Sequence, residues 1–74
     1  MVNPATGEPA NKNAVLGLNE KRIGDILARM GKADTAATAY KRARERYQQA
    51  LAELDPDSIG WREARQELEA VPKP

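Results

Sequence analysis

The sequence predicts an all-α protein made of an antiparallel helical hairpin and a third helix. Apolar residues recur at spacings of three and four in three separate segments, which is typical of amphipathic helices. A glycine separates the first two segments, and an Asp-Pro turn separates the last two. The 74 residues suffice for one small domain. A fold of this size could be completed by oligomerisation.

The first predicted helix begins at Asn13, which is a suitable N-cap. We expect it to end near Gly31, since glycine readily takes the left-handed conformation that closes a helix. Gly17 and Gly24 inside it cost roughly 1 kcal/mol each relative to alanine, so we expect a packing role for at least one of them. Its apolar stripe consists of Leu16, Ile23, Leu27 and Met30, widened by Ile26.

The second predicted helix runs from about Ala33 to about Leu54, because Pro56 disfavours the helical conformation in the residue before it. Its apolar residues alternate spacings of four and three over almost three heptads, so they form one seam along the helix. The seam consists of Ala36, Tyr40, Ala43, Tyr47, Ala50 and Leu54.

The third predicted helix follows a turn at residues 55–58 and ends before Pro72. Its apolar residues are Trp61, Ala64, Leu68 and Val71. The predicted organisation is a flexible tail or linker at 1–12, a three-helix module at 13–71 and a C-terminal tail at 72–74.

Part of the hairpin resembles the tetratricopeptide repeat. The residues that match are the run 22–27, which contains Gly24, followed by Gly31, Ala36, Tyr40 and Ala43. Asp55, Pro56 and Trp61 resemble the turn of the lengthened bacterial variety of this repeat. Glu20 departs from the pattern, because the family usually carries a bulky aromatic residue there. The resemblance covers residues 18–68 and implies a helical hairpin that binds proteins or peptides.

The periodicity and the resemblance together indicate two sets of functional residues. The helix-packing or interface set is Ile23, Gly24, Leu27, Ala36, Tyr40, Ala43, Tyr47, Leu54, Trp61 and Leu68. In tetratricopeptide-type hairpins the first helix forms most of the concave surface. That likeness implies partner contacts at Asn19, Arg22, Asp25 and Arg29.

The residue inventory argues against an enzyme. The chain has no histidine and no cysteine, and Ser58 is its only serine, so histidine-assisted nucleophilic catalysis and histidine or thiolate zinc sites are excluded. Glu63 and Glu67 lie one turn apart, but Arg62 and Arg65 among them favour a solvated face with helical ion pairs. We expect no catalytic residues, no metal and no cofactor.

The charge balance argues against nucleic-acid and membrane roles. The formal net charge is +1, and Glu45 interrupts the basic run at residues 41–46. The longest apolar stretch is far shorter than the roughly 20 residues that span a bilayer. We therefore expect a soluble, cytoplasmic protein.

The leading functional hypothesis is a protein-interaction or scaffolding module whose partner is a protein or peptide. The alternative is a homo-oligomerisation element in which two hairpins pair along the seam from Ala36 to Leu54. A nucleic-acid-binding three-helix domain is the weakest of the three hypotheses.

Overall fold

A computed structural model describes residues 11–72, which form three helices and no strand. The helices are α1 (Lys12–Arg29), α2 (Ala33–Glu53) and α3 (Ile59–Ala70). Helix α1 packs against α2, and α2 packs against α3. The predicted all-α hairpin with a third helix is confirmed. Residues 1–10 of the predicted tail and residues 73–74 lie outside the described residues.

Helix α1 is capped by Asn11 and not by Asn13, so it begins earlier than predicted. Asn11 Oδ1 accepts a hydrogen bond from the Ala14 N–H at 3.1 Å, as an N-cap does. The Asn13 side chain instead donates to Glu53 Oε1 at 2.8 Å, and Asn11 Nδ2 donates to the same oxygen at 3.2 Å. These hydrogen bonds join the open end of the hairpin and lower the pKa of Glu53.

The turn between α1 and α2 is a Schellman motif centred on Gly31. Gly31 has a φ of 77°, and its N–H donates to the Ala28 carbonyl at 3.1 Å. The Lys32 N–H donates to the Leu27 carbonyl at 2.9 Å. This pair of hydrogen bonds satisfies carbonyls that the helix end leaves free. Helix α1 therefore ends where the glycine predicts.

The turn between α2 and α3 is held by Asp55 and Ser58. Asp55 Oδ1 accepts from the Asp57 N–H at 2.9 Å, and Ser58 Oγ donates to the Asp55 carbonyl at 2.6 Å. Ser58 Oγ also accepts from the Trp61 N–H at 3.2 Å, so Ser58 is the N-cap of α3. This turn directs α3 back onto α2.

The core is centred on α2, which packs against both α1 and α3. Its buried residues are Ala43, Tyr47, Ala50, Ala64 and Val71. Partly buried apolar side chains pack around them, namely Ala14, Leu18, Tyr40, Leu51, Leu54 and Leu68. The seam of α2 is therefore covered within one chain and is not left open for a second hairpin.

Candidate protein-interaction surface on the first helix

Two glycines determine which face of α1 packs against α2. A Cβ built on Gly24 would lie 2.7 Å from Tyr40 Cε1, and one built on Gly17 would lie 3.1 Å from three ring atoms of Tyr47. Both glycines are buried. The helix backbone approaches the tyrosine rings here because glycine has no side chain. The glycine face of α1 is therefore the face packed against α2.

This packing turns three large apolar residues outward, two in the C-terminal half of α1 and one at its C-cap. Ile23 is 47% exposed, Ile26 is 56% exposed and Met30 is 60% exposed. Their spacings of three and four place them next to one another on the helix surface. Isolated apolar residues are common on protein surfaces, but contiguous ones more often mark a binding site. We call Ile23, Ile26 and Met30 the α1 stripe.

The α1 stripe borders a groove between α1 and α2 with a volume of about 410 Å³. Ile23 belongs to both features, and Leu27 lies beside it in the groove lining. Helix α2 contributes Thr35, Thr38 and Ala39 to the other wall. The charged lining residues are Glu20, Asp34 and Arg42. The stripe and the groove together form a continuous, largely apolar surface.

Arginines lie along the other edge of the α1 stripe. Arg22 and Arg29 are exposed, and neither forms an ion pair with another residue in the range 11–72. Asn19 is exposed one turn before Ile23. Three of the four predicted partner contacts are therefore accessible.

Asp25, the fourth predicted partner contact, is engaged within the hairpin. It is half-buried, and its Oδ1 accepts a hydrogen bond from the Tyr40 hydroxyl at 2.5 Å. This hydrogen bond, with partial desolvation and the negative charge of Asp25, raises the pKa of Tyr40, whereas the nearby Arg29 acts to lower it. Asp25 therefore positions Tyr40 over Gly24.

Tyr47 is a core residue with an unpartnered hydroxyl. Its side chain is 1% exposed, and its hydroxyl has no hydrogen-bond partner among the described residues. Burial raises the pKa of Tyr47 to about 12, aided by the charge of Glu67 and opposed by that of Arg22. Its ring packs against Gly17, so its role is to hold α1 and α2 together.

The other predicted packing residues differ in their burial. Ala36 and Ala43 are buried, and Ile23 is exposed. The half-buried ones are Leu27, Leu54, Trp61 and Leu68. The Arg65 guanidinium carbon lies 5.5 Å from the centroid of the Trp61 ring, within the range of a cation–π contact.

Several residues of the surface are not predicted from the sequence pattern. Ile26 and Met30 were assigned to an apolar stripe without being assigned to an exposed surface, and the groove residues of α2 were not identified. The sequence does contain a pattern that indicates the packed face of α1. Gly17 and Gly24 lie seven residues apart on α1, as Tyr40 and Tyr47 do on α2. This matched spacing indicates which face of α1 meets α2.

Several charged residues singled out in the sequence form contacts within the fold. Glu67 lies 3.5 Å from Lys21 Nζ on α1, and Arg65 pairs with Glu69 at 3.3 Å. In the basic run of α2, Arg44 donates to the Pro72 carbonyl at 2.8 Å and Arg46 donates to Asn13 Oδ1 at 3.3 Å. Arg44 and Arg46 of the basic run are therefore engaged with other parts of the chain.

No group of three or more acidic, histidine or cysteine side chains in residues 11–72 could hold a metal ion. No helix in that range is long and apolar enough to cross a membrane.

No protein-family model, curated protein or solved structure matches this chain. The fold and the surface define it as an all-α protein of three packed helices with an exposed apolar stripe on the first. The resemblance to the tetratricopeptide repeat stays a prediction from the residues that carry it.

Proposed function

We propose that this chain is a protein-interaction module that binds its partner through the α1 stripe and the adjoining groove. The observation that supports this proposal is the exposure of Ile23, Ile26 and Met30 as neighbours on a helix whose opposite face is packed. Exposed apolar side chains at spacings of three and four suit recognition of a partner helix or peptide. Cytoplasmic location remains part of the proposal.

The direct test is partner capture with the full 74-residue chain and a variant that lacks the stripe. The variant carries Ile23→Ala, Ile26→Ala and Met30→Ala, which favour helix formation at least as well as the native residues. Ile59→Ala is the matched control, because Ile59 is 52% exposed on α3, away from the stripe. Circular dichroism should show the same helix content in all three proteins.

We expect proteins that are enriched by the native chain and by Ile59→Ala to be lost with the triple variant. Quantitative mass spectrometry of the captured proteins measures this difference. Equal capture by all three chains, or no enrichment by the native chain, would overturn the proposal.

Solution mass separates this function from homo-oligomerisation. The seam of α2 that the sequence offered to a second hairpin is buried by the chain's own packing, with Ala43 and Ala50 fully buried. We therefore expect a monomer in light scattering at all concentrations tested. If the native chain is a dimer and the triple stripe variant is a monomer, the α1 stripe serves self-association instead.

A further inference from the structure

The charges beside the α1 stripe indicate which kind of partner it fits. Arg22 and Arg29 lie seven residues apart, which is about two helical turns or 10.5 Å along the axis. Both side chains are exposed. Asp25, the acidic residue between them in the sequence, is half-buried and accepts a hydrogen bond from the Tyr40 hydroxyl of α2. One edge of the stripe therefore carries two exposed arginines, and neither forms an ion pair with another residue in the range 11–72.

We propose that the occupant of this surface is an amphipathic helix of another protein, with acidic residues seven apart along one edge of its apolar face. This inference rests on the proposed function and specifies the chemistry of its partner. The ridge from Ile23 to Met30 and the groove between two antiparallel helices match the way a third helix packs onto a hairpin. Two carboxylates seven residues apart on that helix would meet Arg22 and Arg29.

An antiparallel pairing with a second copy of this chain fits the surface less well. In an antiparallel two-fold pairing of two α1 helices, each edge of the stripe faces the same edge of the other copy. The edge with Arg22 and Arg29 would then face an identical basic edge, and like charges across an interface oppose association. The charge pattern therefore favours a partner whose edge is acidic.

The test uses three designed helical peptides of about 18 residues, long enough to form helices when bound. All three carry leucine at heptad positions a and d, and they differ only in the residue at the two flanking positions, which is glutamate, glutamine or lysine. Each peptide carries a fluorescent label, and anisotropy gives its affinity for the full chain. We expect the glutamate peptide to bind about five-fold or more tightly than the glutamine peptide, as two exposed ion pairs would produce. We expect the lysine peptide to bind least.

The charge-reversal variant Arg22→Glu with Arg29→Glu should invert this order, so that the lysine peptide binds most tightly. Lys41→Glu with Arg62→Glu is the matched control. It changes the net charge by the same amount, at two exposed positions outside the α1 stripe. The control should keep the native order of affinities. If the charge-reversal variant does not fold, Arg22→Gln with Arg29→Gln should remove the preference for glutamate over glutamine.

The other possible results each contradict one part of the proposal. Equal affinity for the three peptides, or a preference for glutamate that survives the loss of both arginines, overturns the acidic partner but leaves the proposed function standing. If the triple alanine variant of the stripe binds the peptides as tightly as the native chain, the peptides do not bind at the α1 stripe and the proposed location is wrong. No binding of any peptide overturns the helical occupant, whereas the capture experiment separately decides whether the stripe binds proteins at all.

Discussion

Gly24 lies so close to the ring of Tyr40 that a Cβ on the glycine would come within 2.8 Å of Tyr40 Cδ1. Gly17 and Tyr47 form the same contact one heptad away, where a Cβ on the glycine would lie 3.1 Å from the Tyr47 ring. These two contacts fix a single antiparallel register between α1 and α2. The helices are therefore positioned by two glycine–tyrosine pairs, which leave the large aliphatic residues of α1 free to face outward.

Gly24→Ala should destabilise the protein by about 1 to 2 kcal/mol, even though alanine gains roughly 1 kcal/mol in helix propensity. The added Cβ would force the Tyr40 ring to move, and the hydrogen bond from Tyr40 to Asp25 resists that movement. Urea unfolding followed by circular dichroism measures the change in the free energy of unfolding.

Gly60→Ala is the control for this prediction. A Cβ on Gly60 would meet Leu54 Cδ2 at 3.6 Å, an ordinary contact. The substitution should therefore stabilise the protein by about 0.5 kcal/mol through helix propensity alone. In a Tyr40→Leu background the penalty of Gly24→Ala should shrink. Equal effects at the two glycines would contradict the importance of the Gly24–Tyr40 contact.

Removing the hydroxyl group should have opposite effects at the two tyrosines. Tyr47→Phe should raise the free energy of unfolding by about 0.5 to 1 kcal/mol, because it removes a buried hydroxyl that has no partner among residues 11–72. Tyr40→Phe should lower it by about 1 kcal/mol, because it breaks the hydrogen bond to Asp25. Thermal or urea unfolding of both variants measures the difference. Equal destabilisation by both substitutions would show that the Tyr47 hydroxyl is hydrogen-bonded in solution.

Stability should fall at alkaline pH. The pKa of Tyr47 is raised from 10.0 to about 12 by folding. A raised pKa contributes stability that is complete below pH 10 and is lost as the pH rises towards 12. The ionisation of Tyr47 accounts for at most about 2 to 3 kcal/mol of the free energy of unfolding, since one pKa unit corresponds to about 1.36 kcal/mol.

Urea unfolding at pH 8, 10 and 11 measures this loss, with Tyr47→Phe as the control. Phenylalanine does not ionise, so the variant should lose less stability over the same range. The decline that remains should include the contribution of Tyr40, whose pKa is also raised. An identical decline in both proteins would rule out Tyr47 as a source of the pH dependence.

Gly31→Ala should destabilise the protein by about 1 kcal/mol through backbone strain. Gly31 has a φ of 77°, and a Cβ at this position would meet no other atom within 4 Å. The predicted loss of stability therefore comes from the backbone conformation alone. Gly31→Asn should cost less, because asparagine tolerates the left-handed region better than alanine. Melting temperatures of the two variants test this order, and equal values would contradict it.

The sequence predicted the helices and turns well because their signals are local. Gly31 marks the end of α1 through its own backbone preference, and Pro56 marks the turn after α2 through the residue before it. The N-terminal boundary was wrong because Asn11 and Asn13 are equally good caps by residue type. They differ in what their amide oxygens accept: Asn11 Oδ1 accepts from the Ala14 N–H, whereas Asn13 Oδ1 accepts from Arg46 across the hairpin.

The orientation of α1 could not be predicted from hydrophobic periodicity. The face with Ile23, Ile26 and Met30 is more apolar than the face with Gly17 and Gly24, so a periodicity argument favours burying the isoleucines. The glycine face is packed instead, because the apolar surface in that interface comes from the tyrosines of α2. The packing of α3 against α2 also had no local signal, since a turn can lead a helix back or away.

The position of Gly31 has a consequence for how the chain folds. The contacts of the hairpin are nested around this turn, from Gly24–Tyr40 through Gly17–Tyr47 to Asn11–Glu53. Once an inner contact forms, the next one closes only a short additional loop, which costs little entropy. We therefore expect the hairpin to zip from the turn towards its open end, with amide hydrogen exchange fastest at the start of α1 and slowest beside Gly24. Uniform exchange along α1 would instead indicate that the hairpin opens in a single step.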